Sequence, residues 1–477
     1  MRLSGILLGL VLLSAPANAA ILHVPADYPT ISAAIAAASS GDEIRVAPGT
    51  YHEKLTLDAT KDGVKIHSES GPAITIIDAD HTGTVVTMAS VGSGTELIGF
   101  TITNGAGSSG NNGGGMTLSG ASAKIQGNVI RGNSTLGNGG GVCVRASSSP
   151  TILANEIANN QAQGSGGGIM VFTSNPDIEN NNIHDNQAPQ RGGGVEYAGS
   201  AGVFAGNQVV ANTANNGGGL YALSSSSPLI QSCLFQSNTT TLGAGGGIFL
   251  DTGSTSSVLS CRFIGNSGGS GAGGIYAIQA SPVIRQNWVQ DNTSPHGSGG
   301  GIYIDVGSNA TVDQNVIVRN RAVAWGGGFV GWGCIADVSS NTLALNEGDL
   351  GGGNLYARDG ATLTLERDIV TRSSGSGVDN DPINGLNTIN TSCNDVSNNA
   401  AGNYQGMADP TGANGNISAD PLFCDLLALD VHLASTSPCT AANSPAGCGL
   451  VGALDIGCDG PVRTEPTTWG AMKARYR

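Results

Sequence analysis

Two aspartates and a file of aromatic residues recur at fixed offsets from a repeated glycine triplet. The second residue after each triplet reads Thr117, Cys143, Met170, Glu196, Tyr221, Phe249, Tyr276, Tyr303 and Val330, and Tyr356 joins them after a one-residue insertion at Asn354. The fourth reads Ser119, Arg145, Phe172, Ala198, Leu223, Asp251, Ile278, Asp305, Trp332 and Arg358. Only 4% of the chain is aromatic, so four aromatics in succession from Tyr221 to Tyr303 are not a product of composition. Open aromatic faces beside carboxylates suit sugars, whose apolar ring faces stack on aromatics while their hydroxyls bond the carboxylates. Glu196, Tyr221, Phe249, Tyr276, Tyr303, Trp332, Tyr356 and Arg358 are therefore the candidate ligand-binding residues. Asp251 and Asp305 are the candidate catalytic pair. Two coils apart, their backbones would lie roughly 9–10 Å from one another, against the about 6.5–9.5 Å between the carboxyl groups of an inverting glycosidase. That match is loose, and Ile278 between them brings no chemistry. The competing explanation of the same row is a ladder of stacked side chains that only stabilises a sheet.

The row depends on what positions it. Triplets start at Gly113, Gly139, Gly166, Gly192, Gly217, Gly245, Ala272 (as Ala-Gly-Gly), Gly299, Gly326 and Gly351, at steps of 25 to 28 residues. A fixed period of this length marks a solenoid whose units share one core. Each unit carries three short strand signals: one after the glycines (Ile302 to Ile304), one near a Ser/Pro turn (Pro282 to Ile284), one before an asparagine (Ile317 to Asn320). Three short strands per turn, paired in parallel with the next turn, describe a parallel β-helix. Alternation then points the first and third residues after each triplet inward and the second and fourth outward.

Asparagine supports this register. Asn133, Asn160, Asn186, Asn212, Asn238, Asn266, Asn292, Asn320 and Asn346 close the third strand of nine consecutive units. Asn tolerates left-handed backbone and bonds neighbouring main chain, so stacked amides would form ladders. Five residues earlier stand Asn128, Asn155, Asn181, Asn207, Cys233, Cys261, Asn287, Asn315 and Asn341. Cys233 and Cys261 thus occupy equivalent sites on adjacent coils, about 5 Å apart, within reach of a disulfide.

The ends differ from the middle. Arg2, an apolar run from Ile6 to Leu13 and Ala17-Asn18-Ala19 read as a signal peptide over 1–19. Residues 20–112 read as an N-terminal cap and first coils, with a short helix at Ile31 to Ala38 started by Thr30 or Ser32. Regular repeats fill 113–379. Residues 380–460 hold five cysteines and should close the C-terminal end of the solenoid; Cys439–Cys448 is the first candidate bridge, although spacing alone leaves pairing open. Residues 461–477 form a linker and a basic, aromatic tail. No run after the first is long enough to span a membrane. The net charge of -15 disfavours nucleic acid. No metal-ligand spacing appears, no cofactor is called for, and calcium is possible but not indicated. His184 and His296 lie in turns without a Ser or Cys partner. The glycine runs lack the Lys-Ser/Thr continuation of a phosphate loop.

The start, Val24-Pro25-x-Asp27-Tyr28-Pro29-Thr30-Ile31 with Gly41-Asp42 and Pro48-Gly49-Thr50-Tyr51, resembles the first coil of exported right-handed parallel β-helix proteins of the pectin-lyase-like superfamily. The alternation of Phe/Ile-x-x-Asn with Gly-Gly-x-Ile resembles the repeats of chlamydial polymorphic outer-membrane proteins, which implies adhesion. Those proteins carry a C-terminal membrane barrel, for which no room is expected after residue 460. The paired-Asp and Gly-His-Gly motifs of polygalacturonases and the Asp-His strand motif of pectate lyases find no match. The expectation is an all-β, right-handed parallel β-helix of about ten glycine-rich coils, with an N-terminal capping helix and a disulfide-bearing C-terminal closure. Its expected role is that of a secreted or cell-surface protein binding polysaccharide or another surface component along the outward row. The alternatives are a polysaccharide-degrading glycosidase or lyase, and a structural or adhesin-type surface protein.

Overall fold

Short strands with alternating apolar residues cannot bury those residues alone. In one coil Ile248, Leu250, Val258 and Phe263 all point inward and are fully buried, each on its own short strand or pair of strand positions. Stacking coil on coil merges such sets into one continuous core. The computed structural model describes residues 19–459 except 111 and 384. Residues 1–18 of the expected signal peptide and the tail at 461–477 lie outside the described residues.

The chain forms a parallel β-helix with three long sheets. The first, which follows the glycines, has 14 strands from Leu55–Leu57 to Tyr404–Gln405. The second has 15, from Ile21–Val24 to Thr388–Ser392. The third has 14, from Gly49–His52 to Asp395–Ser397. The stack outruns the ten glycine-marked coils, because pairing continues without triplets at both ends. Val86–Ala89 pairs with Met116–Ser119, and Val378–Asp381 with Leu355–Arg358. The helix Ile31–Ala37 packs on the first strands and buries Ile31, Ala34 and Ile35; Thr30 rather than Ser32 is its N-cap, accepting from the Ala33 N–H at 3.0 Å.

Each glycine of a triplet answers to a different neighbour. Gly299 has φ +70°, and a Cβ there would lie 2.7 Å from Tyr303 Cβ. A Cβ on Gly300 would meet Arg321 N at 2.5 Å and Gly327 O at 2.6 Å on the next coil. One on Gly301 would press on Ile317 and the Asn320 side chain in the interior. Between coils the triplets bond main chain to main chain, with Gly299 N–H donating to Trp325 O, Gly300 to Gly326 O and Gly301 to Gly327 O.

Both asparagine files are buried ladders, the first unbroken from Asn133 to Asn346 and the second interrupted by Cys233 and Cys261. Asn266 Nδ2 donates to Asn292 Oδ1 and to Phe235 O, each at 2.9 Å, while Asn266 Oδ1 accepts from Asn238 N and Nδ2, each at 3.0 Å. The left-handed residue is not the asparagine but the one before it: Ser237, Gly265, Asp291, Arg319 and Leu345 all have φ between +54° and +62°. That single reversed residue aims the following amide inward. Cys233 and Cys261 stack in the second file as the register requires, with Cys233 N–H donating to Cys261 Sγ at 3.4 Å, but both are free thiols.

The C-terminal segment carries two disulfides, as expected, and its Tyr404 and Met407 pack against the main core, but its later part lies on the flank. Phe423, Leu426, Val431, Leu433 and Val451 pack against Val316, Val318, Ala344 and Ile369, which project outward from the third sheet. The segment therefore runs back along the flank of the last coils. Its bridges are Cys393–Cys448 (Cα atoms 5.3 Å apart) and Cys424–Cys458 (5.9 Å). The Cys439–Cys448 pairing is thus corrected: the fold sets Cys448 against Cys393 of the last coil, whereas the Cys439 thiol is buried against Asp395 Oδ2 at 3.2 Å.

Two outcomes are expected. Asn266→Ala strands several buried donors and carbonyls at about 1–3 kcal/mol each, so urea unfolding should show a loss of roughly 2–5 kcal/mol. Thiol titration without reductant should detect no reactive thiol in the native protein and all five free cysteines after unfolding.

Candidate functional site

The expected row exists in the predicted register. Met170, Glu196, Tyr221, Phe249, Tyr276, Tyr303, Val330 and Tyr356 pair in sequence along the first sheet, and Asp379 follows Tyr356. On the neighbouring line Trp332, Arg358 and Asp381 pair in the same way.

The row is not an open platform, however. Tyr221 is 3% exposed, Phe249 and Tyr303 8%, Tyr356 1% and Glu196 1%. The cause is local. The glycine with positive φ folds the preceding turn back over the residue four positions on, so a Cβ at Gly245 would lie 2.9 Å from Phe249 Cβ, and one at Gly217 2.8 Å from Tyr221 Cβ. Ala244, Ala272 and Trp325, which belong to these turns, pack on the rings. The rings also spend their faces on each other: centroids lie 4.7 Å apart for Tyr221–Phe249 and Phe249–Tyr276, and 5.1 Å for Tyr276–Tyr303. Tyr276, Trp325 and Trp332 remain half-buried.

What the row presents at its rim is a set of tyrosine–aspartate pairs. Tyr221 OH donates to Asp251 Oδ2, Tyr276 OH to Asp305 Oδ2, and Tyr356 OH to Asp381 Oδ2 at 2.5 Å. Each tyrosine sits at the second position of one coil and its aspartate at the fourth position of the next. Burial, followed by the adjacent carboxylate, raises all three phenols above their usual range, so they stay protonated donors. Main-chain N–H groups of Thr252, Val306 and Ile383 hold the same aspartates at 2.6, 2.7 and 3.0 Å. Asp251 and Asp305 are thus oriented, half-exposed carboxylates two coils apart, each beside a ring rather than a second carboxyl.

The two ends of the row carry charge. At the C-terminal end Arg358 lies 4.6 Å from the Trp332 centroid and 5.2 Å from that of Trp325, which stacks on Tyr356 at 5.7 Å. Its guanidinium is 3.4 Å from Asp359 and 3.9 Å from Asp381. Asp379 is 6% exposed, with Ser376 Oγ at 3.4 Å. Burial and the charge of Asp381 push its carboxyl up, against Ser376 and the Gly352 N–H. At the other end Glu196 Oε1 is 3.7 Å from Arg191 Nη2, while Oε2 is buried without a partner. Burial pushes Glu196 up to about 7 against the pull of Arg191, whose guanidinium lies 5.4 Å from the Tyr221 centroid.

Sequence reasoning missed Arg191, Trp325, Asp359, Asp379 and Asp381. Carrying the register one coil past the last triplet would have found Asp379 and Asp381, at the second and fourth positions of Val378–Asp381. Arg191 and Trp325 immediately precede triplets, a position whose side chains close over the row. Among the described residues one group has metal-ligating composition, His52, Asp78 and Asp80, on early coils away from this row.

Glu196 sets a pH dependence. Its folded value lies above the unfolded 4.5, so its contribution is fully present below about 4.5 and is lost as pH rises through about 7. Relative to Glu196→Gln, the wild type should lose stability between pH 4.5 and 7, by roughly 3 kcal/mol at most. Urea unfolding of both proteins across that range measures it.

Among solved structures, the chain resembles the catalytic unit of a thermostable GH87 α-1,3-glucanase from Streptomyces thermodiastaticus strain HF3-3, at 14% identity and TM-score 0.40, over 81% of this chain and 66%, just under two thirds, of that one. Pectate lyase Pel9A aligns at 13% identity and TM-score 0.28 over 92% and 96% of the two chains. The A-module of mannuronan C-5 epimerase AlgE6 from Azotobacter vinelandii aligns at 13% and 0.27 over 81% and 93%. These likenesses are too distant to say anything of activity. No curated protein matches the sequence. Residues 58–235 and 192–347, together more than half of the chain, match the family described as right handed beta helix region. The chain belongs to the right-handed β-helix family.

Proposed function

We propose that this is a secreted or cell-surface protein that binds a hydroxyl-rich polysaccharide along the rim of the first sheet. The observation that carries this reading is the line of three tyrosine–aspartate pairs, at Asp251, Asp305 and Asp381. A carboxylate fixed by a phenol and a main-chain N–H has lost its rotational freedom before any ligand arrives, and all three aspartates are half-exposed. Repeated on coils two and three steps apart, such acceptors suit a polymer that offers hydroxyls at regular intervals. The half-buried edges of Tyr276, Trp325 and Trp332 give its sugar rings apolar contact. Two disulfides fit an oxidising, exported setting. The net charge of -15 speaks against polyanionic partners such as nucleic acid.

Affinity electrophoresis in gels containing soluble polysaccharides tests the reading. Hydrogen bonds to a charged acceptor contribute about 1.5–3 kcal/mol, so Asp305→Asn should weaken binding roughly tenfold or more. Tyr276→Phe, which keeps the ring and frees the carboxylate, should weaken it less. Unchanged mobility for Asn at 251, 305 and 381 alike counts against the rim as the binding surface.

A further inference from the structure

We propose that the outer side of the third sheet, on the first coils, binds one divalent cation of the Zn²⁺ type through His52, Asp78 and Asp80. The site is separate from the aromatic row and does not depend on the binding reading above.

Two adjacent coils build it. Gly49–His52 pairs in parallel with Thr75–Asp78, and the register sets His52 beside Asp78. Such neighbours stand about 4.8 Å apart and point to the same side of the sheet. Ile77 is fully buried, so alternation turns Asp78 outward. The chain then turns at Asp80 and His81, with φ +50° and +56°. The turn brings Asp80 back to the imidazole: His52 Nδ1 lies 2.9 Å from Asp80 Oδ1 and 3.1 Å from Oδ2. One ligand atom of each of the three residues lies within 4.8 Å of the other two. Donors around a four-coordinate zinc, each bound at about 2.0–2.2 Å, stand roughly 3.3 Å from one another. Small side-chain rotations therefore close the set around an ion.

Surface histidines and acids often bond one another without a metal, and the other histidines of this chain show how that looks. Acids flank opposite ring nitrogens at His67 (Glu43 and Glu96) and at His184 (Glu156 and Asp185), so no single point is surrounded. His432 has Asp430 alone. At His52 two carboxylates converge on the same nitrogen.

Charge points the same way. Among the described residues no Lys or Arg pairs with Asp78 or Asp80. The nearby Lys54 donates to Thr82 O at 3.1 Å instead. Two carboxylates held this close repel one another unless a cation joins them. His52 brings one positive charge, and only when protonated; a divalent ion brings two and takes the imidazole in its neutral form. Asp78 is also steadied from outside the group, since its Oδ2 accepts from Asn104 Nδ2 of the third coil at 2.8 Å. Outer bonds of this kind orient ligating carboxylates.

The donor set selects the ion. An imidazole favours Zn²⁺ and its neighbours over Ca²⁺ and Mg²⁺, which take oxygen ligands. Three protein ligands leave a fourth place for water or for an oxygen donor from solution. A groove of about 620 Å³, lined in part by Thr82, Thr84, Ala106, Ser108 and Thr135, begins two residues beyond Asp80 and Asn104. It leaves that side of the group accessible.

Equilibrium dialysis of the EDTA-treated mature chain against ZnCl₂, with CaCl₂ and MgCl₂ as comparison salts, tests the site alongside melting curves. The expected result is one Zn²⁺ per chain, a melting temperature raised by ZnCl₂, and far weaker binding of Ca²⁺ and Mg²⁺. His52→Ala and Asp80→Asn should each weaken Zn²⁺ binding by about 10–100-fold or more and remove the rise in melting temperature. His432→Ala should change neither. His52 and Asp80 are both exposed; if His52→Ala nevertheless fails to fold, Asp80→Asn, which keeps the shape of the side chain, decides. Absence of bound Zn²⁺ overturns the proposal. Binding that survives both substitutions places the ion elsewhere and overturns it too. Ca²⁺ held as tightly as Zn²⁺ and unaffected by His52→Ala overturns the role given to the imidazole.

Discussion

Everything in this molecule depends on keeping polar atoms of one coil directly above their partners in the next. A parallel β-helix buries two files of asparagine in its corners, and a buried amide without partners costs more than a good one contributes. Most of these asparagines are bonded on both sides, to the amide of the following coil and to a carbonyl of the preceding coil, as at Asn266. A slip of one residue in any coil would leave amides above and below without partners and turn apolar side chains outward. The reversed residue before each asparagine, such as Asp291 or Arg319, is tolerated because the ladder over-determines it.

The glycine triplets extend the same constraint to the candidate site. Their main chains bond coil to coil, which keeps Tyr276 above Phe249 and below Tyr303. The first glycine then folds the turn back over that row. A device that sets register thereby also removes the rings from solvent, and the chemistry left at the surface is that of the hydroxyl ends and the carboxylates they hold.

How far the sequence could be read follows from this. Period, strand order, sheet faces, both asparagine files and the stacking of Cys233 on Cys261 are all consequences of a repeat, and a repeat is visible in one dimension. The burial of Phe249 is not, because it is caused by the backbone angle of Gly245, and glycine permits that angle without announcing it. Asp381 was hidden because its coil lacks the glycine marker from which offsets were counted. The partner of Cys448 was hidden for a different reason. The chain from Cys393 to Cys448 leaves the solenoid and returns along its flank, so distance along the sequence carries no information about the pairing.

That returning segment alters how the solenoid comes apart. Contacts in a stack of coils are mostly between nearest neighbours, so such a rod melts inward from whichever end is weaker. Here Ala453 N–H reaches back to Thr342 Oγ1 across 111 residues, and Gly452 N–H to Arg367 O. With Cys393 bonded to Cys448, the last coils are laced into a closed loop that cannot peel one layer at a time. Loss of structure should therefore advance from the amino-terminal helix toward the carboxyl end, and the pair of Tyr356 and Asp381 sits in the part of the rod that opens last.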